Sequence, residues 1–346
     1  MRIFSYRNKR HLKQFLIVLA VVLTIFFLFC LCRFIYLQRF LVYSGGKVSL
    51  DYNQSLNRDP NGSEAKWDPS TVEIITQAPA TQEVSVVDEP LKRLTGFYIS
   101  TDMLKDLDQL RAALAEQDEV KTIMLDLKSV YGNFYYSSGT PGANYTTAAD
   151  VPAVYAFIDE LSERKDLYLI ARVASLSDPH FALSNQTCGL PLRSGALWVD
   201  ENNCYWLDPM ATAVQEYLVS IAQELALMGF DEVVFDDFRI PESTNIVYGG
   251  DLSRQDAAAE AAKTIRSLLV TDPIRVSFNS SNPKVAEVSD RVYLVTDDGA
   301  SVASLVDSVK EPLEDPETQI VFLTASRDTR FDGYGILRPL IEARVE

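Results

Sequence analysis

Histidine and cysteine are scarce in this chain, with two and four respectively among 346 residues. His11 lies near the N-terminus, and His180 is the other. A histidine-rich metal centre or a Ser-His-Asp triad is therefore not expected, and neither a metal nor a cofactor is anticipated. No Cys-x-x-Cys pair occurs. Cys188 and Cys204 lie sixteen apart; in an oxidising compartment they could close a disulfide worth about 3 kcal/mol, and two free thiols are the alternative. No glycine-rich phosphate loop follows an early strand, which argues against an open, doubly wound nucleotide-binding sheet. Positive charge is also short, at 32 Lys/Arg against 48 Asp/Glu. Residues 1–47 hold eight of those bases and no acid, leaving 24 bases and all 48 acids for residues 48–346, a formal charge of −24. Such a surface repels nucleic acid and anionic lipid, so no nucleic-acid partner is expected.

What the N-terminus does have is one long apolar run. Residues 15–32 contain no charge, with Thr24 the only polar interruption. As a helix they would cover roughly 27 Å, close to a bilayer core. Arg2, Arg7, Lys9, Arg10 and Lys13 precede the run without an acid, which favours a cytoplasmic N-terminus. A cleaved signal peptide fits less well, because no small-residue cleavage site follows promptly. The expected organisation is a cytoplasmic tail at 1–14, a single-pass anchor at 15–37, a flexible linker at 38–90 and an extracytoplasmic domain at 91–346. Asn, Ser, Pro, Thr, Gln and acids dominate the linker, too little apolar surface to fold.

From residue 94 onward strand and helix patterns alternate. Short, apolar, β-branched segments at 95–100, 122–127, 167–174, 232–237, 274–279, 291–296, 319–324 and 334–337 read as strands buried on both faces. The clearest helix spans 210–228, where Val214, Tyr217, Leu218, Ile221, Leu225 and Met228 form one apolar stripe. Asp208 is placed to cap it and Gly229 to end it. Eight such units over about 250 residues fit a (β/α)₈ barrel, the TIM barrel.

In that fold the C-terminal strand tips line one cup. The polar tips are Asp126 and Lys128 after strand two, Arg172 and Asp178 after strand three, and Asp236, Asp237 and Arg239 after strand four. Asn279 follows strand five, Asp297 and Asp298 strand six, Ser326 and Arg327 strand seven. Side chains alternate along a strand. If Val234 faces inward so does Asp236, while Asp237 turns away. Glycoside hydrolysis needs two carboxyl groups flanking the scissile bond. Asp236 is the first candidate; Asp297, Asp298 and Asp126 compete for the second. Asp126 and Lys128 also read as an ion pair at the barrel mouth, Asp297-Asp298-Gly299 as a turn, and Arg172 as a neutraliser of a nearby aspartate. The long loop after strand three carries Phe181, Trp198, Tyr205 and Trp206, either a stacking platform for sugar rings or a satellite core. Asn133-Phe134-Tyr135-Tyr136 poses the same choice.

These segments carry a resemblance. Gly229-Phe230-Asp231-Glu232 leads into Phe235-Asp236-Asp237-Phe238-Arg239-Ile240-Pro241. Leu125-Asp126-Leu127-Lys128, Ile170-Ala171-Arg172-Val173 with Asp178, and Trp198-x-Asp200 leading to Trp206-Leu207-Asp208-Pro209 precede it. In this order they resemble a bacterial family of TIM-barrel domains described as putative glycoside hydrolases. The resemblance implies a carbohydrate-active barrel and a catalytic or substrate-binding role for Asp236. It does not supply the second carboxylate. The chain departs from the pattern at Asp237, where an aromatic residue is usual, and at Ser129, where an acid is usual.

The expectation is thus a membrane-anchored, extracytoplasmic glycoside hydrolase acting on cell-wall or extracellular glycans. Its catalytic candidates are Asp236, Asp297 and Asp298. Its substrate contacts are Asp126, Lys128, Arg172, Trp198, Trp206, Arg239 and Asn279. The contrasting reading is a non-catalytic glycan-binding or envelope-interaction module on a degenerate barrel. A divalent-metal hydrolase would require three or more of these aspartates to converge.

Overall fold

The computed structural model describes residues 41–44, 47–50, 91–117, 119–248 and 251–342. The chain divides into two compact units, Met1–Thr76 and Gln77–Glu346. In the first, Leu41–Ser44 and Lys47–Leu50 pair antiparallel, within the stretch read as linker. The expected membrane span lies outside the described residues; among these, no helix is long and apolar enough to cross a membrane.

The second unit is a closed barrel of eight parallel strands: β1 Thr95–Ile99, β2 Thr122–Lys128, β3 Tyr168–Ala174, β4 Glu232–Asp236, β5 Arg275–Asn279, β6 Val292–Val295, β7 Ile320–Leu323 and β8 Gly335–Pro339. Each pairs with its neighbour in sequence, and β8 closes onto β1 through Ile336–Pro339 opposite Thr95–Tyr98. Every strand expected from the sequence is present within about two residues. Helices Leu107–Ala115, Val151–Ser162, Thr212–Leu227, Arg254–Leu268 and Val302–Val309 lie between strands. The stripe on Thr212–Leu227 is buried as its periodicity requires. Its N-cap, however, is Ala211, without a side-chain bond. Asp208 instead accepts from the Met210 N–H at 2.9 Å and shapes the preceding turn. Gly229 ends the helix at φ +90°, a conformation that glycine adopts without a Cβ clash. After β5 the helical layer thins to Pro283–Ala286, and after β7 to one 3₁₀ turn, Thr329–Phe331.

The pleat orders the barrel interior. Met124, Ile170, Val234, Tyr293, Val321 and Leu337 form its apolar middle. Two residues further along β2, β3 and β4, on the same face, stand Asp126, Arg172 and Asp236. Two residues earlier, at the base, stand Tyr168 and Glu232. Glu232 is fully buried and pairs with Arg291, while Tyr168 and Tyr293 donate hydrogen bonds to it at 2.8 and 2.9 Å. The Arg291 guanidinium also stacks on the Tyr168 ring. Polar groups buried at the closed end of such a barrel serve stability rather than chemistry.

Removing one partner of a buried ion pair leaves an uncompensated charge. Arg291→Met should lower the unfolding free energy by roughly 3–5 kcal/mol, measured by urea denaturation of the full-length protein. Adding Glu232→Gln should restore part of the loss. A single-variant effect below about 1 kcal/mol would contradict the importance of this pair.

Candidate active site

At the open end of the barrel, Arg172 lies between two aspartates. Its Nε is 2.9 Å from Asp126 Oδ1 and 3.6 Å from Asp236 Oδ2. Register explains the difference. Asp126 stands level with Arg172, whereas Asp236 stands level with Ala174, one pleat repeat nearer the mouth. Asp236 is accordingly the more exposed carboxylate, at 17% against 11%. Asn279 at the tip of β5 donates to Asp236 Oδ1 at 2.6 Å. The Asp236 carbonyl accepts from Ser175 Oγ at 2.6 Å, which pins the end of β4. Asp236 is thus held at three points and faces the cup.

Asp126 Oδ1 receives charge from Arg172 but no hydrogen bond, because the contact is poorly aligned. Burial pushes the Asp126 carboxyl up, Arg172 opposes that and Asp236 adds to it, giving a value of about 6.

Lys128 is not in the cup. The register between β2 and β3 slips between Asp126 and Lys128, so Lys128 aligns with Val173, a residue of the outer core. The expected Asp126–Lys128 pair does not form. Lys128 Nζ instead meets Asp178 Oδ2 at 2.9 Å and donates to the Ala174 carbonyl at 2.8 Å, with both side chains of the ion pair buried. Tyr217 and the Phe181 N–H also donate to Asp178. Burial would raise the Asp178 carboxyl, but Lys128 and these donors outweigh it and lower its pKa. Gly132 stands so close that a Cβ there would lie 2.3 Å from Asp178 Oδ1, and its φ is +75°. Lys128 therefore fastens the loop after β3 and is closed to substrate in this structure.

Asp297 and Asp298, at the end of β6, separate in role. Asp298 Oδ1 accepts from the Ala300 N–H at 2.8 Å and caps the 3₁₀ turn Gly299–Ser301, the turn alternative of the sequence. Asp297 is exposed on the rim. Its Oδ1 accepts from Thr324 Oγ1 at 3.0 Å and from the Ala325 N–H at 2.7 Å, which fixes the carboxylate and leaves Oδ2 open. Arg327 is taken up by a surface pair with Glu342. Sequence reasoning missed Tyr98, on the inner face of β1. Burial raises its phenol, Asp297 and Asp126 add to the rise and Arg172 opposes it, so it stays a neutral donor among these three charges. The signal the sequence offers for it is a phenol one residue before the end of strand one.

Beside the cup, the loops after β2, β3 and β4 line an open pocket of about 430 Å³, with Trp198, Trp206, Asp237 and Arg239 in its walls. Trp206 is only 4% exposed and donates its indole N–H to Asp200 at 3.0 Å, so it is a wall rather than an open platform. Phe134, Tyr135 and Tyr136 are buried and serve as core. Cys188 and Cys204 are both buried free thiols, not a disulfide. Among the described residues, no group of three or more His, Cys, Asp or Glu is arranged to hold a metal ion.

A family model described as "Putative glycosyl hydrolase domain" matches residues 96–293, more than half of the chain. The chain belongs to this family. The match to the glycosyl hydrolase domain covers Asp126, Arg172 and Asp236 and ends four residues before Asp297. No curated protein matches the chain. Among solved structures, an α-galactosidase from Lactobacillus brevis has a TM-score of 0.51 at 8% identity, covering 74% of this chain and 38% of that one. A hypothetical protein from Ruminiclostridium thermocellum has 22% identity, a TM-score of 0.46 and coverage of 53% and 97%. Aspergillus fumigatus Ega3, in complex with galactosamine, has 10% identity, a TM-score of 0.47 and coverage of 72% and 92%. The α-galactosidase likeness is one of fold alone.

The Asp126 value has a thermodynamic consequence. Its carboxyl holds a proton more tightly folded than unfolded, so stability falls as pH rises from about 4 to about 6 and is flat above. Asp126→Asn cannot ionise and lacks this loss. Between pH 4 and pH 7, the stability of the variant relative to wild type should rise by about 2–3 kcal/mol. Urea unfolding at the two pH values measures it, and a pH-independent difference would contradict the raised value.

Proposed function

We propose that this glycosyl hydrolase domain cleaves glycosidic bonds in its barrel cup, with Asp236 as the carboxyl group on one side of the scissile bond and Asp297 as its partner on the other. The observation that carries the reading is the placement of Asp236. It lies at the cup end of β4, oriented by Asn279 and Arg172, in a barrel of a glycosyl hydrolase family. Glycosidases place the bond to be cut between two carboxyl groups. Asp126 is the carboxylate nearer to Arg172, but the guanidinium fills the space between it and Asp236. No glycosidic oxygen fits there. Asp297 meets the requirement better: it is exposed, its orientation is fixed by two donors, and one oxygen is unengaged. Asn279, on the strand between β4 and β6, separates the two candidates. Asp126 and Arg172 then form a charge-balancing floor that orients Asp236.

The apolar run at 15–32 and its basic flank support an anchored, extracytoplasmic placement, and cell-wall or extracellular glycans as substrates. One observation favours the non-catalytic alternative: Arg172 contacts Asp236 and partly neutralises the charge a catalyst would use.

The experiment that separates these readings is release of reducing ends from a panel of bacterial and extracellular polysaccharides by the full-length protein. Asp236→Asn and Asp297→Asn should each reduce the rate by roughly 10²–10⁴-fold, while Asp298→Asn should retain it. A folded Asp236→Asn variant at wild-type rate would reject the assignment, and an inactive wild type across the panel would favour the binder. For placement, protease added to intact cells should degrade residues 91–346; their protection would reject the exported orientation.

A further inference from the structure

The pocket beside the cup contains features that bond cleavage at Asp236 does not use. Its floor is a short hairpin-like turn. Asp200 Oδ1 accepts from the Asn202 and Cys204 N–H groups at 2.9 Å each, and Oδ2 from the Trp206 indole at 3.0 Å. Val199 bridges Tyr205 across the turn. This holds Trp198 and Trp206 with centroids 6.5 Å apart and rings inclined by 59°. Trp206 is covered on one face by the Arg239 guanidinium, 5.3 Å from its centroid. Trp198 is the half-buried one and offers the open aromatic face.

The opposite wall begins one residue after Asp236. Asp237 adopts φ +49°, a left-handed conformation uncommon outside glycine. There it presents its carboxylate to Arg239, which donates from Nε at 2.5 Å and Nη2 at 3.3 Å. Arg239 is thus engaged by one carboxylate and one indole, with Nη1 left over. Two further carboxylates, Glu201 and Glu242, line the pocket exposed, and neither has an ion-pair or hydrogen-bond partner among the described residues. The volume of about 430 Å³ lies within the range of small-molecule sites, about 300–1,000 Å³.

We propose that this pocket is a glycan subsite adjoining the cleavage point, which takes a pyranose ring without negative charge. The inference rests on the glycoside-hydrolase reading of the cup and specifies which glycans enter it. The apolar face of a sugar ring packs on the Trp198 indole, as aromatic side chains bury apolar area at small entropic loss. Ring hydroxyls donate to Glu201, Glu242 and Asp237 and accept from Arg239 Nη1. An anionic sugar meets two unpaired carboxylates, while Arg239, the only cation among the described residues of the pocket wall, is already neutralised by Asp237. A hydroxyl, an acetamido group or an ammonium avoids that repulsion. Selectivity here is therefore largely exclusion of uronates.

The test is isothermal titration of the full-length Asp236→Asn variant, in which turnover is blocked. The probes are uncharged tetrasaccharides of glucose, galactose and N-acetylglucosamine, the cationic tetrasaccharide of glucosamine, and tetragalacturonate. At least one uncharged or cationic probe should bind, and tetragalacturonate should bind at least roughly tenfold more weakly than it. Trp198→Ala in the same background should weaken the bound probe by roughly tenfold, and Trp198→Phe should recover most of that. Glu201→Gln with Glu242→Gln should narrow the gap to tetragalacturonate. Binding of no probe, an unchanged Kd in Trp198→Ala, or tetragalacturonate binding as tightly as the others would each overturn the subsite. The two readings fail separately. Probe binding by a protein that cleaves no glycan keeps the subsite and removes the hydrolase, whereas cleavage with a KM indifferent to Trp198→Ala removes the subsite and keeps the hydrolase.

Discussion

One guanidinium holds the mouth of this barrel together. Closing eight strands brings the inward tips of β2, β3 and β4 side by side, and two of those tips are carboxylates. Without a cation between them Asp126 and Asp236 would repel across a poorly solvated space. Arg172 occupies that space and contacts both. The consequence is unequal. Asp126, level with the arginine and more deeply buried, keeps one oxygen without a hydrogen bond and holds its proton to about pH 6. Asp236, one repeat higher, also has Asn279 and a foothold on Ser175. Strand stagger, a property of barrel closure, thus turns two chemically identical side chains into a buried floor and an accessible group.

The same pleat that supplies the cup also isolates it. An apolar middle layer from Met124 to Leu337 separates the Asp–Arg–Asp layer from the Glu232–Arg291 pair at the base. A third buried pair, Lys128–Asp178, sits outside the barrel wall. Among the described residues, two ion pairs are thus fully buried and a third group, the Asp–Arg–Asp triad, is partly so, each with its own hydrogen-bond donors. Only the one at the open end has both carboxylates partly accessible. A buried charge pair is weak evidence for stability by itself, but its position along the strand separates a structural role from a chemical one.

Much of this is legible in the amino-acid sequence. Strands buried on both faces leave continuous β-branched runs, and all eight were readable. Parity places Asp236 inward, whereas Asp237 lies past the strand end in a left-handed turn that parity does not govern. The failures have a common physical origin. Parity holds only while the register is unbroken, and a single slip between Asp126 and Lys128 moved Lys128 out of the cup. Nothing in Leu125-Asp126-Leu127-Lys128 marks a bulge, since no glycine or proline is there. Pairings between neighbouring strand ends, such as Asp178 with Lys128 or Asp297 with Thr324, depend on contacts between segments far apart in sequence. Asp298 was resolvable only by its hydrogen bond to Ala300. Tyr98 escaped because a phenol on a strand looks like core, and half of its character is.

The departure of this chain from its family pattern at Asp237 then acquires a physical meaning. An aromatic residue at that position would add apolar area beside Trp206. An aspartate adopts the left-handed conformation more readily than most residues, and it also anchors Arg239 over the Trp206 ring. The result is a polar wall one residue from the candidate catalytic group. The strand ends at Asp236, and the left-handed turn at Asp237 sends its side chain elsewhere. Asp236 therefore remains tied to the chemistry of the cup while Asp237 reshapes the neighbouring pocket, with little constraint of one upon the other. Two neighbouring aspartates at a barrel strand tip need not form a catalytic pair; here Asp236 faces the cup and Asp237 the pocket beside it.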